Sequence, residues 1–252
     1  MLRHRSRVGR PLLLSPVPVD RELARKAAAE GVGTALLVAI VVGSGIFASR
    51  LSPDDGGLQL LENSIATGAG LVALILAFGA VSGAHFNPVV TLADRVLGGL
   101  STRELAVYLP AQITGACAGA VVANLMFDLP AVELSTHVRS SGGLWLGEVV
   151  ATFGLVTVIL GVVRSGRLSA APFAVGGYIA AAYWFTSSTS FANPAVTIGR
   201  TLTDSFAGIE PSSAPAFIAA QLAGAGLAVA LARFLHPALP AGDVILPHAE
   251  EE

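Results

Sequence analysis

The chain has 252 residues, 53% of them hydrophobic and only 13% charged, with 28 glycines and a mean hydropathy of +0.70. A water-soluble chain of this length carries about a quarter charged residues because its surface needs them, so these figures exclude an ordinary soluble domain and make lipid the main solvent. The apolar content excludes disorder, the net charge of -2 gives no electrostatic case for nucleic acid, and the single cysteine, Cys117, excludes an intrachain disulfide framework.

In chain order, a basic segment comes first. Residues 1–29 carry Arg3, Arg5, Arg7, Arg10, Arg21, Arg25 and Lys26, which predict a cytoplasmic N-terminal segment resting on anionic lipid. The short run Leu12, Leu13, Leu14 is too brief for a signal peptide. About 20 apolar residues suffice to cross the hydrocarbon core. Charge-free runs then place six spans, at 31–49, 64–81, 105–127, 144–163, 172–188 and 214–234. Two charge-free stretches, 63–93 and 168–199, are too long for one helix and turn polar in their second halves, at SGAHFNP and TSSTSFANP. Each predicts a helix followed by a re-entrant segment. Six spans put twelve of the fifteen basic residues on the N-terminal side, including Arg95, Arg103, Arg164, Arg167 and Arg233. Arg50 and Arg139 fall opposite, and Arg200 lies in the second re-entrant region. The segment 236–252 is Pro-interrupted and acidic, and reads as a cytoplasmic tail.

The chain repeats itself. GAHFNPVVTLADR recurs as SFANPAVTIGR, AQITGACAGA as AQLAGAGLAV, and EGVGT as EVVAT, all in the same order. The predicted organisation is a first repeat at 30–127, a connecting extracellular loop at 128–143 and a second repeat at 144–235. Three spans per half force the second half to insert upside down, so the two Asn-Pro segments dip from opposite faces toward the midplane. Asn suits an N-cap and Pro the first helical position, so half-helices are predicted at 87–97 and 193–206, the second ending near Gly208. Two helix N-termini meeting at one point concentrate unpaired N–H groups and positive dipole ends, which disfavours cations and protons but not neutral molecules.

At these residues the chain resembles the aquaporin and glycerol-facilitator family, the major intrinsic proteins. The boxes that carry the resemblance are Asn87-Pro88-Val89, one residue off the family's pattern, and Asn193-Pro194-Ala195, which keeps it. The resemblance implies an all-α integral membrane protein, a right-handed bundle of six spans plus two half-helices from an inverted repeat. It also implies a homotetramer in the bacterial inner membrane with a pore in each protomer, passive conduction of small uncharged solutes, and exclusion of ions and protons. A membrane enzyme is disfavoured because no catalytic arrangement can be assembled from what lies near the boxes, and no cofactor or metal is expected. Its selectivity filter, counted without gaps, falls on Thr67, Ala181, Ser190 and Val196. Val196 stands where the family usually has arginine, so the filter is expected to be broad and weakly polar, resembling a bacterial branch linked to glycerol, arsenite and methylated arsenicals. A water-selective aquaporin is the alternative, and an ion-coupled transporter is disfavoured because no carboxylate stands in the re-entrant segments near the midplane.

Six further positions carry expectations of their own. Arg200, one turn beyond Val196, either replaces the missing arginine or serves structure through Asp204 or loop carbonyls, with structure preferred. Glu30 and Glu148 are acids at membrane depth, and the resemblance implies that they brace the re-entrant loops. Gln112 and Gln221 read as interhelical hydrogen-bonding partners. His85 is expected to line the pore.

Overall fold

A computed structural model describes residues 19–236, so Arg3, Arg5, Arg7, Arg10 and the tail from 237 onward lie outside the described residues. Within them the chain is all helical, with six helices long and apolar enough to cross a membrane. These are α1 (Val19–Leu51), α2 (Gly56–Ser82), α4 (Thr102–Met126), α5 (Gly142–Arg164), α6 (Ala171–Phe185) and α8 (Ala214–Leu235). Two short helices, α3 (Pro88–Leu97) and α7 (Pro194–Gly199), follow α2 and α6. The order α1 to α4 is thus repeated by α5 to α8.

Local chemistry explains where the helices begin and end. The Asp55 carboxylate accepts the Leu58 N–H at 2.9 Å to open α2, and Gly83, at φ 82°, closes it in a left-handed conformation. Ser101 and Glu104 form a reciprocal capping box at the start of α4. Two spans extend beyond the charge-free runs. Helix α1 starts twelve residues before position 31 because its first turns run in water, with Asp20, Arg21 and Arg25 exposed and Lys26 bridged to Glu22 and Glu104 at 3.0 Å each. Charge marks where lipid ends, not where a helix ends.

The expected second half-helix at 193–206 is corrected to a shorter one. Helix α7 stops at Gly199 and tightens into a 3₁₀ turn over Arg200–Leu202, because carbonyls that would carry the helix forward are taken by loops. The Arg200 carbonyl accepts from Ile209 N–H, Thr201 from Ser135 and Leu202 from Glu133, at 3.1–3.2 Å.

Close backbone approaches hold the bundle together, and they come in pairs. A Cβ on Gly115 would collide with the Gly31 carbonyl where α4 crosses α1, and one on Gly224 with the Val149 carbonyl where α8 crosses α5. Helices α2 and α6 meet through Gly68 and Gly176, each of which faces the carbonyl oxygen of the other. Without a hydrophobic driving force between helices in lipid, such small-residue contacts supply the packing.

Candidate functional site

Each re-entrant loop hangs from a buried carboxylate. Glu30 accepts the N–H groups of His85 at 2.9 Å and Phe86 at 2.7 Å, the Ser82 hydroxyl at 2.7 Å and the Gln112 amide at 2.8 Å. Glu148 accepts the N–H groups of Phe191 and Ala192, both at 2.9 Å, and the Gln221 amide at 2.6 Å. The loops can offer successive N–H groups because Ala84, Phe86, Ser190 and Ala192 all have φ between 47° and 52°. A planar trans peptide then turns the carbonyls of residues 84, 85, 190 and 191 away from each carboxylate.

The two Asn-Pro pairs meet at the centre. Asn87 caps α3 by accepting the Val89 N–H at 3.1 Å, and Asn193 caps α7 by accepting from Ala195 at 3.0 Å and Val196 at 3.2 Å. Their amide nitrogens are crossed, Asn87 donating to the Ala192 carbonyl and Asn193 to the Phe86 carbonyl, both at 2.8 Å. Both asparagines also line one cavity between the helices. Pro88, Val89, Pro194 and Ala195 are buried behind them and do not line it. Val89 packs instead against Val156, Leu160 and Val229, in the contact between α3, α5 and α8.

Apolar side chains such as Leu71, Ile75, Leu155 and Ile159 form most of the cavity wall. The polar groups are few: His85 toward the end where α3 lies, the two asparagines, and Thr67, Tyr183, Ser190 and Arg200 toward the end where α7 lies. A membrane-spanning helical bundle, an inverted pair of capped half-helices and a lumen past both caps describe a passage for solutes.

Residues 19–190 match the family described as Major intrinsic protein. The chain is 53% identical over 220 residues to aquaglyceroporin AqpS of Rhizobium meliloti (strain 1021), covering 87% of this chain and 94% of that protein. It belongs to the major intrinsic protein family. Aquaporin NIP2-1 of Oryza sativa subsp. japonica is 34% identical over 71% of this chain, which spans 61% of that relative. The crystal structure of the aquaglyceroporin from Plasmodium falciparum shares the fold, with a TM-score of 0.67 at 22% identity over 85% of this chain and 98% of that one. Members of the family are channels and not enzymes, and this chain is a membrane channel for small solutes.

Within this major intrinsic protein, three of the four filter positions counted from the sequence lie together. Thr67, Ser190 and Val196 line the cavity near its α7 end. Ala181 does not: it is exposed on the outer face of α6. The cavity face of that helix carries Val175, Ile179 and Tyr183, spaced by one helical turn, and the Tyr183 hydroxyl hydrogen-bonds Thr67 Oγ1 at 3.1 Å. Gapless counting misplaced this position by two residues, because it assumes a fixed distance between α6 and the Asn-Pro box. The four-residue spacing of Val175, Ile179 and Tyr183 is the signal that could have found Tyr183.

Arg200 is buried, lines the cavity, and pairs with neither Asp204 nor any other carboxylate that the described residues bring within ion-pair distance. Its Nε donates to the Ala207 carbonyl, and its guanidinium lies 3.4 Å from the centre of the Phe191 ring. Asp204 turns outward instead, accepting the Thr136 N–H at 2.8 Å. Arg139, whose role the sequence did not disclose, reaches in from the connecting loop, donates to the Gly208 carbonyl at 2.9 Å and approaches Phe191 at 5.2 Å. At the other end His85 lines the cavity, with Asp94 behind it.

Proposed function

We propose that the chain conducts small uncharged polar solutes passively, glycerol-like polyols and water among them, and excludes ions and protons. The observation that carries this reading is the lumen itself. Its wall is mostly apolar, two half-helix N-termini meet on it at Asn87 and Asn193, and its one arginine, Arg200, stands at the α7 end. A bare cation loses its water there and meets positive dipole ends, whereas a hydroxylated solute trades hydrogen bonds with few groups. The filter residues are Thr67, Tyr183, Ser190 and Val196, with Arg200 one turn beyond as the fixed charge. Arsenous acid and methylated arsenicals, uncharged hydroxides of polyol-like shape, fall in the same solute class. The aquaglyceroporin name of the relative AqpS, 53% identical, favours this class over a water-selective pore.

The same proposal covers assembly and topology. The channel works as a homotetramer in the bacterial inner membrane, both termini cytoplasmic, with repeats at 30–127 and 144–235 joined by an extracellular loop at 128–143. Stopped-flow measurements on proteoliposomes test it, comparing water, glycerol and arsenous acid in the parent, Val196→Arg and Tyr183→Ala. Fast glycerol and arsenous acid flux is expected in the parent, lost in Val196→Arg and increased in Tyr183→Ala. Fast water flux with both larger solutes excluded from all three proteins would favour the water-selective alternative.

A further inference from the structure

The residue two before each box asparagine carries a ring on the cavity wall, and the residue seven after that asparagine holds the ring from behind. In the second half the ring is Phe191 and its holder is Arg200, stacked at 3.4 Å. In the first half the corresponding residues are His85 and Asp94, with His85 Nε2 3.5 Å from Asp94 Oδ2 and both side chains almost fully buried. The chemistry has changed while the placement has stayed.

Asp94 has no other evident reason to be there. It sits in the last turns of α3, where the helix dipole disfavours an anion, and its Oδ1 is buried with no hydrogen-bond partner. The second ring nitrogen of His85 is also engaged, with Nδ1 3.1 Å from Thr91 Oγ1. That hydroxyl accepts from the Gln112 amide at 2.8 Å and has one proton to give. That proton goes to the Asn87 carbonyl at 3.0 Å, as the Thr197 hydroxyl gives its own to Asn193 at 2.8 Å, so Nδ1–H is the donor to Thr91 Oγ1 and Nε2 faces Asp94. The Tyr108 ring, 5.6 Å away and edge-on, closes the remaining side.

We infer that Asp94 is a positioning residue for permeation: with Thr91 it holds the His85 imidazole by both ring nitrogens, so that a passing solute meets the carbon edge of a fixed ring and not a free N–H. The α3 mouth is thereby narrower and less polar than a histidine at this place would make it if left loose. Removing the Asp94 acceptor lets the ring turn into the lumen and changes which solutes pass. A structural role for Asp94 alone would not depend on His85.

The inference rests on the solute pathway running through this cavity, and the test separates the two. Purified Asp94→Val, Asp94→Asn and His85→Ala, and the double variant Asp94→Val with His85→Ala, are reconstituted in proteoliposomes and the ratio of glycerol to water permeability is read. Asp94→Val is expected to move that ratio about fivefold or more, and to move it less than about twofold when His85 is already Ala. Asp94→Asn keeps an oxygen acceptor and is expected to stay within about twofold of the parent. An effect of equal size with and without His85, or an unchanged ratio in Asp94→Val, overturns the inference. The ¹⁵N spectrum of histidine-labelled parent protein, with the His85 signal assigned by its loss in His85→Ala, gives a second reading that needs no Asp94 variant to fold. A protonated Nδ1 is expected, with a second proton shared between Nε2 and Asp94; a bare Nε2 overturns the clamp. A parent protein without solute flux would strike the channel reading, and the spectrum would still decide this one.

Discussion

The two halves of the molecule agree where the chain must fold and differ where a solute must enter or leave. Glu30 and Glu148, Gln112 and Gln221, Thr91 and Thr197, and Asn87 and Asn193 make the same bonds in mirrored settings, down to amides that bridge to threonine hydroxyls at 2.8 and 2.9 Å. Around the mouths the correspondence breaks. His85, Tyr108 and Asp94 on one side face Phe191, Phe217 and Arg200 on the other, with edge-on ring pairs in both. A repeat can vary its chemistry freely only at positions whose hydrogen bonds do not hold up the loop, and those positions are the mouths.

The largest effects should fall where the halves agree. Replacing Glu30 or Glu148 with Ala strands at least two loop N–H groups and a glutamine amide in a dry interior, at about 1–3 kcal/mol for each unpaired group. Each variant is expected to lose several kcal/mol and most of its folded yield in detergent, read by size-exclusion chromatography and thermal midpoint. A half that tolerated the change would break the equivalence. Next come Gly115→Val and Gly224→Val, which drive a side chain into the carbonyls of Gly31 and Val149. Backbone cannot step aside as a side chain can, so about 1–3 kcal/mol or more is expected from either, measured the same way.

Much of this was legible in the sequence because it is written twice. The six spans, the two re-entrant segments and the pairing of Glu30 with Glu148 follow from charge-free runs and repeated words. The errors came where the halves diverge. Counting back from Asn193 reaches Ala181, whereas the lumen side of α6 is set by helical phase, which brings Tyr183 to Thr67. The end of α7 was placed too late because the loop carbonyl contacts from Ser135, Glu133 and Ile209 that stop it are long-range and leave no local mark. Asp94 leaves no mark in the sequence, since its partner His85 lies nine residues away across a turn and a lone aspartate in a helical run reads as surface.

The first box offers a sharper test of which differences matter to folding and which to conduction. Val89 stands where Ala195 stands in the second half, and neither lines the cavity. Val89→Ala removes two methyl groups from a filled contact with Val156, Leu160 and Val229, and is expected to cost about 1.5 kcal/mol with solute permeability per folded channel unchanged. Altered permeability at equal folded yield would mean that the box residue behind the asparagine is felt in the lumen after all.

The smallest effect should come from the loop that joins the two halves and covers only the α7 mouth. Between α4 and α5 the chain returns across the α7 mouth, where Arg139 binds the carbonyls of Gly208 and Phe206 and the Asp204 carboxylate takes the N–H and hydroxyl of Thr136. The α3 mouth is tied instead by ion pairs between helix ends, Lys26 with Glu22 and Glu104, and Arg103 with Asp20. The Thr136 N–H holds the Asp204 carboxyl below the usual carboxylate range, with His137 at 3.8 Å adding to the effect. A carboxyl lowered on folding contributes stability that is complete above its unfolded value, about 3.9, and is lost as pH falls through the folded value. Hydrogen exchange of the Thr136 amide should therefore be flat from neutral pH to mildly acidic, after correction for intrinsic rates, and lose protection only below that value. Asp204→Asn should abolish the acid step with little change in the thermal midpoint. Raising salt should loosen the α3 ion pairs and leave the Thr136 amide protected, because a hydrogen bond to backbone is screened far less than a pair of exposed charges.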